Sequence, residues 1–134
     1  MNETTRENVL AAMHQEAFAY AKYMLFAEHA RESGKSELAE LLEKTARDEL
    51  SKHFTVQARL VGLVRSDTEN LEDAIQRHSY AIETMYRDFA QQAFSAGDTA
   101  VGDRLEEIRH GEMEHREAFK KVFEKLAKDP LRAW

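Results

Sequence analysis

Glu112-Met113-Glu114-His115 decides how this chain is read, because it sets a carboxylate and an imidazole three residues apart on a strongly helical pattern. At that spacing both side chains leave one face of a helix, one above the other. The apolar positions around them are Val101, Leu105 and Ile108 before, and Phe119, Val122 and Leu126 after. The pair therefore takes two places in the stripe that a bundle helix turns toward its neighbours. A carboxylate in such a place needs a partner, since burying it alone is costly or forces it to protonate. A metal ion satisfies carboxylate and imidazole together, and inward Glu-x-x-His pairs are how carboxylate-bridged di-metal bundles are built.

Composition narrows the choice. A chain of 134 residues is enough for a single domain spanning residues 1–134 with a core of its own. It has one Pro and five Gly, each Gly where a helix could end, and no apolar run long enough to span a membrane. The N-terminus lacks a signal-peptide pattern, so the expected location is the cytoplasm. With no Cys, disulfides, thiolate metal sites and a cysteine nucleophile are excluded. A net charge of −6 and a pI near 5.5 argue against nucleic acid as a partner.

The stops predict four helices. Thr4-x-x-Glu7 has the form of a capping box, and Gly34 ends the helix that follows. Its inward stripe is Val9, Met13, Glu16, Tyr20, Tyr23 and Ala27. A second helix runs from Ser36 to about Gly62 with Leu38, Leu42, Thr45, Glu49, Lys52, Val56 and Leu60 inward. Val64 to Asn70 reads as a polar connection, longer than the others. The third helix covers Leu71 to Ala96, its stripe including Ile75, His78, Met85 and Phe89, and stops at Gly97. Asp98 caps the fourth, which reaches about Lys128 before Pro130. The expected fold is all-α, an antiparallel four-helix bundle.

The chain also repeats itself. An offset of 63 carries Tyr23 onto Tyr86, Gly34 onto Gly97, Leu42 onto Leu105 and Glu49 onto Glu112. The same offset carries Lys52 onto His115. Two duplicated helix pairs would make Glu49 and Glu112 mates, with a lysine standing at one imidazole position.

These residues resemble the rubrerythrin branch of the ferritin-like superfamily. The likeness lies in Glu16-Ala-Phe-Ala-Tyr-Ala-Lys-Tyr-Met-Leu-Phe-Ala-Glu-His-Ala, in Met85-Tyr-Arg-Asp-Phe-Ala and in Glu112-Met-Glu-His115. The resemblance implies a ferritin-like bundle that holds iron or manganese and acts as an oxidoreductase on hydrogen peroxide or dioxygen. Rubrerythrins draw electrons from an attached four-Cys domain; without Cys, this chain would take them from a separate donor protein. The family also implies a homodimer, with or without exchange of helices.

Carried over residue by residue, the resemblance puts metal ligands at Glu16, Glu49, Glu112 and His115. Lys52 falls where the second helix should offer a His, and Ala81 and Thr84 fall where the third should offer carboxylates. His53 and His78 lie near, and either could turn inward by a local adjustment of its helix; His53 is included among the candidate ligands. Two readings remain open. In one, a reduced site of one or two ions survives. In the other the centre is lost, and Lys52 forms a buried ion pair with Glu16 or Glu49 in a non-enzymatic bundle. Blander readings exist for each residue: Glu112 and His115 as a pair on a solvated face, Lys52 snorkelling to water, and Tyr20, Tyr23, Tyr80 and Tyr86 as core packing.

Overall fold

The computed structural model describes residues 1–129 and 131, and Pro130, named above as a helix stop, lies outside the described residues. The described chain is all-α, with four long helices and no strand. The first long helix is α1 (Glu3–Glu32). The second is built from α2 (Ser36–Asp48), a π-helical turn π1 (Glu49–Phe54) and α3 (Thr55–Val61). The third comprises α4 (Asp67–Tyr80), a second π turn π2 (Ala81–Met85) and α5 (Tyr86–Ser95). The fourth is α6 (Thr99–Lys128). No helix among the described residues is long and apolar enough to cross a membrane.

The chain divides into two compact units, residues 1–64 and 65–134, each a hairpin of two long helices. The hairpin turns are built alike. Gly34 and Gly97 both take the left-handed conformation, at φ 74° and 87°. In the first turn Gly34 N–H donates to Arg31 and Lys35 N–H to Ala30; in the second Gly97 N–H donates to Phe94 and Asp98 N–H to Ala93. Both reproduce the paired bonds that close a helix after a glycine. The internal repeat is thus visible in the backbone.

Helix starts correct three expectations. α1 is capped by Asn2, whose Oδ1 accepts the Thr5 N–H at 2.8 Å, and the Thr4–Glu7 box does not form. α4 begins at Asp67, not Leu71, because Ser66 and Glu69 make a complete capping box inside the supposed connection. Asp98 holds the cap position of α6, yet its side chain accepts no capping bond.

Within each unit the line of helix contact is made of small residues. In the first, Ala27, Ala30 and Ala39 are buried near the turn, and Met13, Ala58 and Val61 at the open end. Arg6 ties that end by donating to the Val61 carbonyl at 3.0 Å. In the second, Ala81, Ile82, Ala90, Gly102 and Leu126 are buried. A Cβ on Gly102 would meet the Phe94 ring at 2.5 Å, so the glycine is what lets the ring lie against α6. Larger members of the expected stripes are not packed within their own hairpins: Leu60, Phe89, Val101 and Ile108 are all exposed, as is Tyr80. Two helices alone close over a narrow seam, and small side chains let the backbones approach there.

Candidate metal centre

Each hairpin brings three potential metal donors together. In the first unit they are Glu16 from α1 with Glu49 and His53 from π1. In the second they are His78 from α4 with Glu112 and His115 from α6. In both groups one ligand atom from each residue lies within 4.8 Å of the other two. Donors held about 2.1 Å from one ion stand roughly 3 to 4 Å apart, so a small closure suffices in either case. All five sequence-derived candidates fall into these groups, and His78 joins them as a sixth donor.

A π turn lies in or beside each group. In a regular helix residues i+3 and i+4 both lie near the face of i, and it is the Glu-x-x-His pattern of the resemblance that assigns Lys52 to the Glu49 face. A π turn widens the helix by one residue, each N–H reaching the carbonyl five positions back. Here Thr55 N–H donates to the Leu50 carbonyl, and Thr55 Oγ1 donates to the same oxygen at 2.8 Å. Within this turn His53 lies on the Glu49 face, where its Nδ1 is 3.0 Å from Glu49 Oε2 and 3.5 Å from Glu16 Oε2. Lys52 is turned away. Its ammonium is 3.1 Å from Asp48 and its side chain is 67% exposed. The expected buried pair of Lys52 with Glu16 or Glu49 therefore does not form.

The second unit has a matching π turn, π2, which follows His78. Tyr86 N–H bonds the Ala81 carbonyl, five residues back. The Ile82 carbonyl is taken by Arg109 of α6, whose Nε donates to it at 2.7 Å. Ala81 is buried and Thr84 exposed, and neither side chain is a metal donor. Glu83 points elsewhere, to Arg116 at 3.0 Å. One turn earlier, His78 Nε2 reaches Glu112 Oε2 at 2.9 Å.

A signal for this was present in the sequence. An offset of 62, not 63, carries Glu16 onto His78 and His53 onto His115. The change of offset marks one added residue in each half, and the π turns sit where the offset changes.

Electrostatics suit both groups to a cation. Glu16 is held above the ordinary carboxyl range, first by the hydrogen bond it shares with Glu49, then by burial and by the Glu49 charge. Glu49 is correspondingly held low by that bond and by His53, so the shared proton rests on Glu16. His53 is raised, chiefly by its bond to Glu49. Two facing carboxylates thus keep a proton where a metal would replace it. In the second unit, His78 Nδ1 is 2.8 Å from the Ala74 carbonyl, which can only accept. That fixes the N–H on Nδ1 and leaves Nε2 toward Glu112, the arrangement in which metal-ligating histidines are held. The donors fit a divalent ion in both units. A groove of about 600 Å³ opens beside His78 and Glu112, lined also by Arg77, Met85 and Tyr86.

The sequence matches the family model described as "Rubrerythrin" over residues 7–123. It is 28% identical to a protein of Methanocaldococcus jannaschii named "Putative rubrerythrin", over 94% of this chain and 72% of that one. It is 29% identical to nigerythrin of Nitratidesulfovibrio vulgaris, over 87% of this chain and 64% of that protein's length.

Proposed function

The chain belongs to the rubrerythrin family, a class of di-iron-type metal-binding proteins, and from that premise we propose that it reduces hydrogen peroxide with metal ions held by its two donor groups. Glu16, Glu49 and His53 hold one ion, and His78, Glu112 and His115 hold another. Electrons come from a separate donor protein, and the chain works as a cytoplasmic homodimer.

The observation that carries this reading is the pair of π turns. Each interrupts helix regularity in or beside a three-donor group, which a purely structural helix has no need to do. A redox-active ion in such a site supplies the electrons for cleaving an O–O bond. Reduction of one peroxide to two waters takes two electrons and two protons. With Glu16, Glu49 and His53 bound to the ion, these two protons come from solvent. Arg77 and Tyr86 line the groove next to Glu112 and present donors to a small polar oxidant.

Metal-free protein reconstituted anaerobically with ferrous iron and desalted should retain about two ions per chain. Peroxide should then oxidise the bound iron, and a reduced electron donor should return it for further turnovers. Trace retention only, with peroxide consumed no faster than by free iron, would eliminate the proposal.

A further inference from the structure

We propose that the two donor groups are metal sites of different character, so that one chain holds two different ions: an imidazole-seeking ion at His78, Glu112 and His115, and a harder, oxygen-seeking ion at Glu16, Glu49 and His53. The inference rests on the metal-binding reading above and goes beyond it by assigning each site a preference.

The donor sets are unequal. The first unit offers two carboxylates and one imidazole, the second one carboxylate and two imidazoles. With all donors deprotonated, the first set neutralises a divalent ion and the second leaves one positive charge. Imidazole suits ions such as Ni(II), whereas carboxylate suits Mn(II). A set of two His and one carboxylate also leaves coordination positions open for an exogenous ligand.

Rigidity sharpens the difference. His78 is oriented on three sides. Its Nδ1–H is committed to the Ala74 carbonyl at 2.8 Å. Its ring meets His115 edge-on, with centroids 5.7 Å apart, and Phe119 at 5.3 Å. Its Nε2 faces a Glu112 oxygen at 2.9 Å. That contact is satisfied either by a proton on Nε2 or by an ion bound to both residues. The imidazole of the first unit is less restrained: the His53 side chain is 52% exposed, against 22% for His78, and its Nδ1 contacts are the two carboxylates themselves. The second site thus has one preorganised nitrogen, that of His78, beside the exposed His115, and the first has none.

The test uses the full chain loaded with two equivalents of Mn(II) and then given one equivalent of Ni(II). Released Mn(II) is read by its free-ion electron paramagnetic resonance signal, and both metals are counted after desalting. One Ni(II) and one Mn(II) should remain bound. His78→Gln and His115→Gln should each weaken Ni(II) binding about tenfold or more while one Mn(II) stays bound. Glu16→Gln should release Mn(II) and leave Ni(II) in place. Circular dichroism of each variant shows that the helices persist. If His78→Gln weakens both ions alike, or Glu16→Gln reduces Ni(II) as much as Mn(II), the assignment of separate preferences is overturned while metal binding stands. If the wild-type chain holds neither ion, the assignment and the metal-site reading fall together.

Discussion

The two hairpins reach the same arrangement by opposite routes. In the first, the added residue lies in the second helix and moves His53; in the second, it lies in the first helix, one turn after His78. Each route gives a three-donor group drawn from both helices of its hairpin. The two π turns are also supported differently. π1 is satisfied locally, with Thr55 giving both N–H and hydroxyl to Leu50. π2 depends on a long-range partner, Arg109, for the Ile82 carbonyl. A one-residue insertion can therefore be absorbed in either helix of a duplicated pair, provided the carbonyl it frees finds a donor.

The largest expected effect comes from removing the long-range support. Arg109→Ala should destabilise the protein by about 2 kcal/mol, because it takes a charged donor from a part-buried carbonyl. That is a fall of roughly 7 °C in melting midpoint. Thr55→Val removes a neutral local bond and should cost about half as much. Thermal melts of the two variants side by side check the ranking, and equal losses would mean that the π turns are supported alike.

A smaller effect sharpens the comparison by erasing it. Deleting Ser51 should convert π1 to regular helix and leave Glu49 and His53 three positions apart, as Glu112 and His115 are. Metal stoichiometry should be unchanged, and stability should change by less than about 1 kcal/mol. Loss of an ion in this deletion would show that the π turn does more than restore register. Lys52→His, by contrast, should add no ligand, since that side chain lies beside Asp48.

The helix ends were largely legible. Gly34, Gly62 and Gly97 all take positive φ, as stops of this kind require. Glu16, Glu49, Glu112 and His115 were legible as donors because polar side chains interrupt apolar stripes, whereas His53 lay outside the expected stripe and was a candidate only by its place four residues after Glu49. Lys52 was misplaced for a specific reason. Counting by 3.6 residues assumes an unbroken helix, and a π turn leaves no side-chain signature of its own. The clue lay in the repeat, whose offset changes by one between Tyr23 and Glu16 and again between Glu49 and His53. The Ser66–Glu69 box is not legible as a helix start because it sits among polar residues that read equally well as a loop.

The smallest effect concerns that box. The Ser66 hydroxyl and N–H bonds hold Glu69 below the ordinary carboxyl range. A depressed carboxyl contributes stability that is present above its unfolded value and lost as pH falls through its folded one. The start of α4 should therefore loosen only below the usual glutamate range, and Ser66→Ala should move the Glu69 titration upward. Carboxyl chemical shifts followed by NMR check both. In the first unit α1 has a single Asn2 cap bond, so no such acid dependence is expected from that cap.

The most direct measurement is anomalous diffraction from crystals of the chain reconstituted with divalent metal. Two ions are expected, one bonded to Glu16, Glu49 and His53 and one to His78, Glu112 and His115, with Lys52 outside both coordination spheres. Metal density absent from these six side chains, or Lys52 turned into the place of His53, would contradict the central claim.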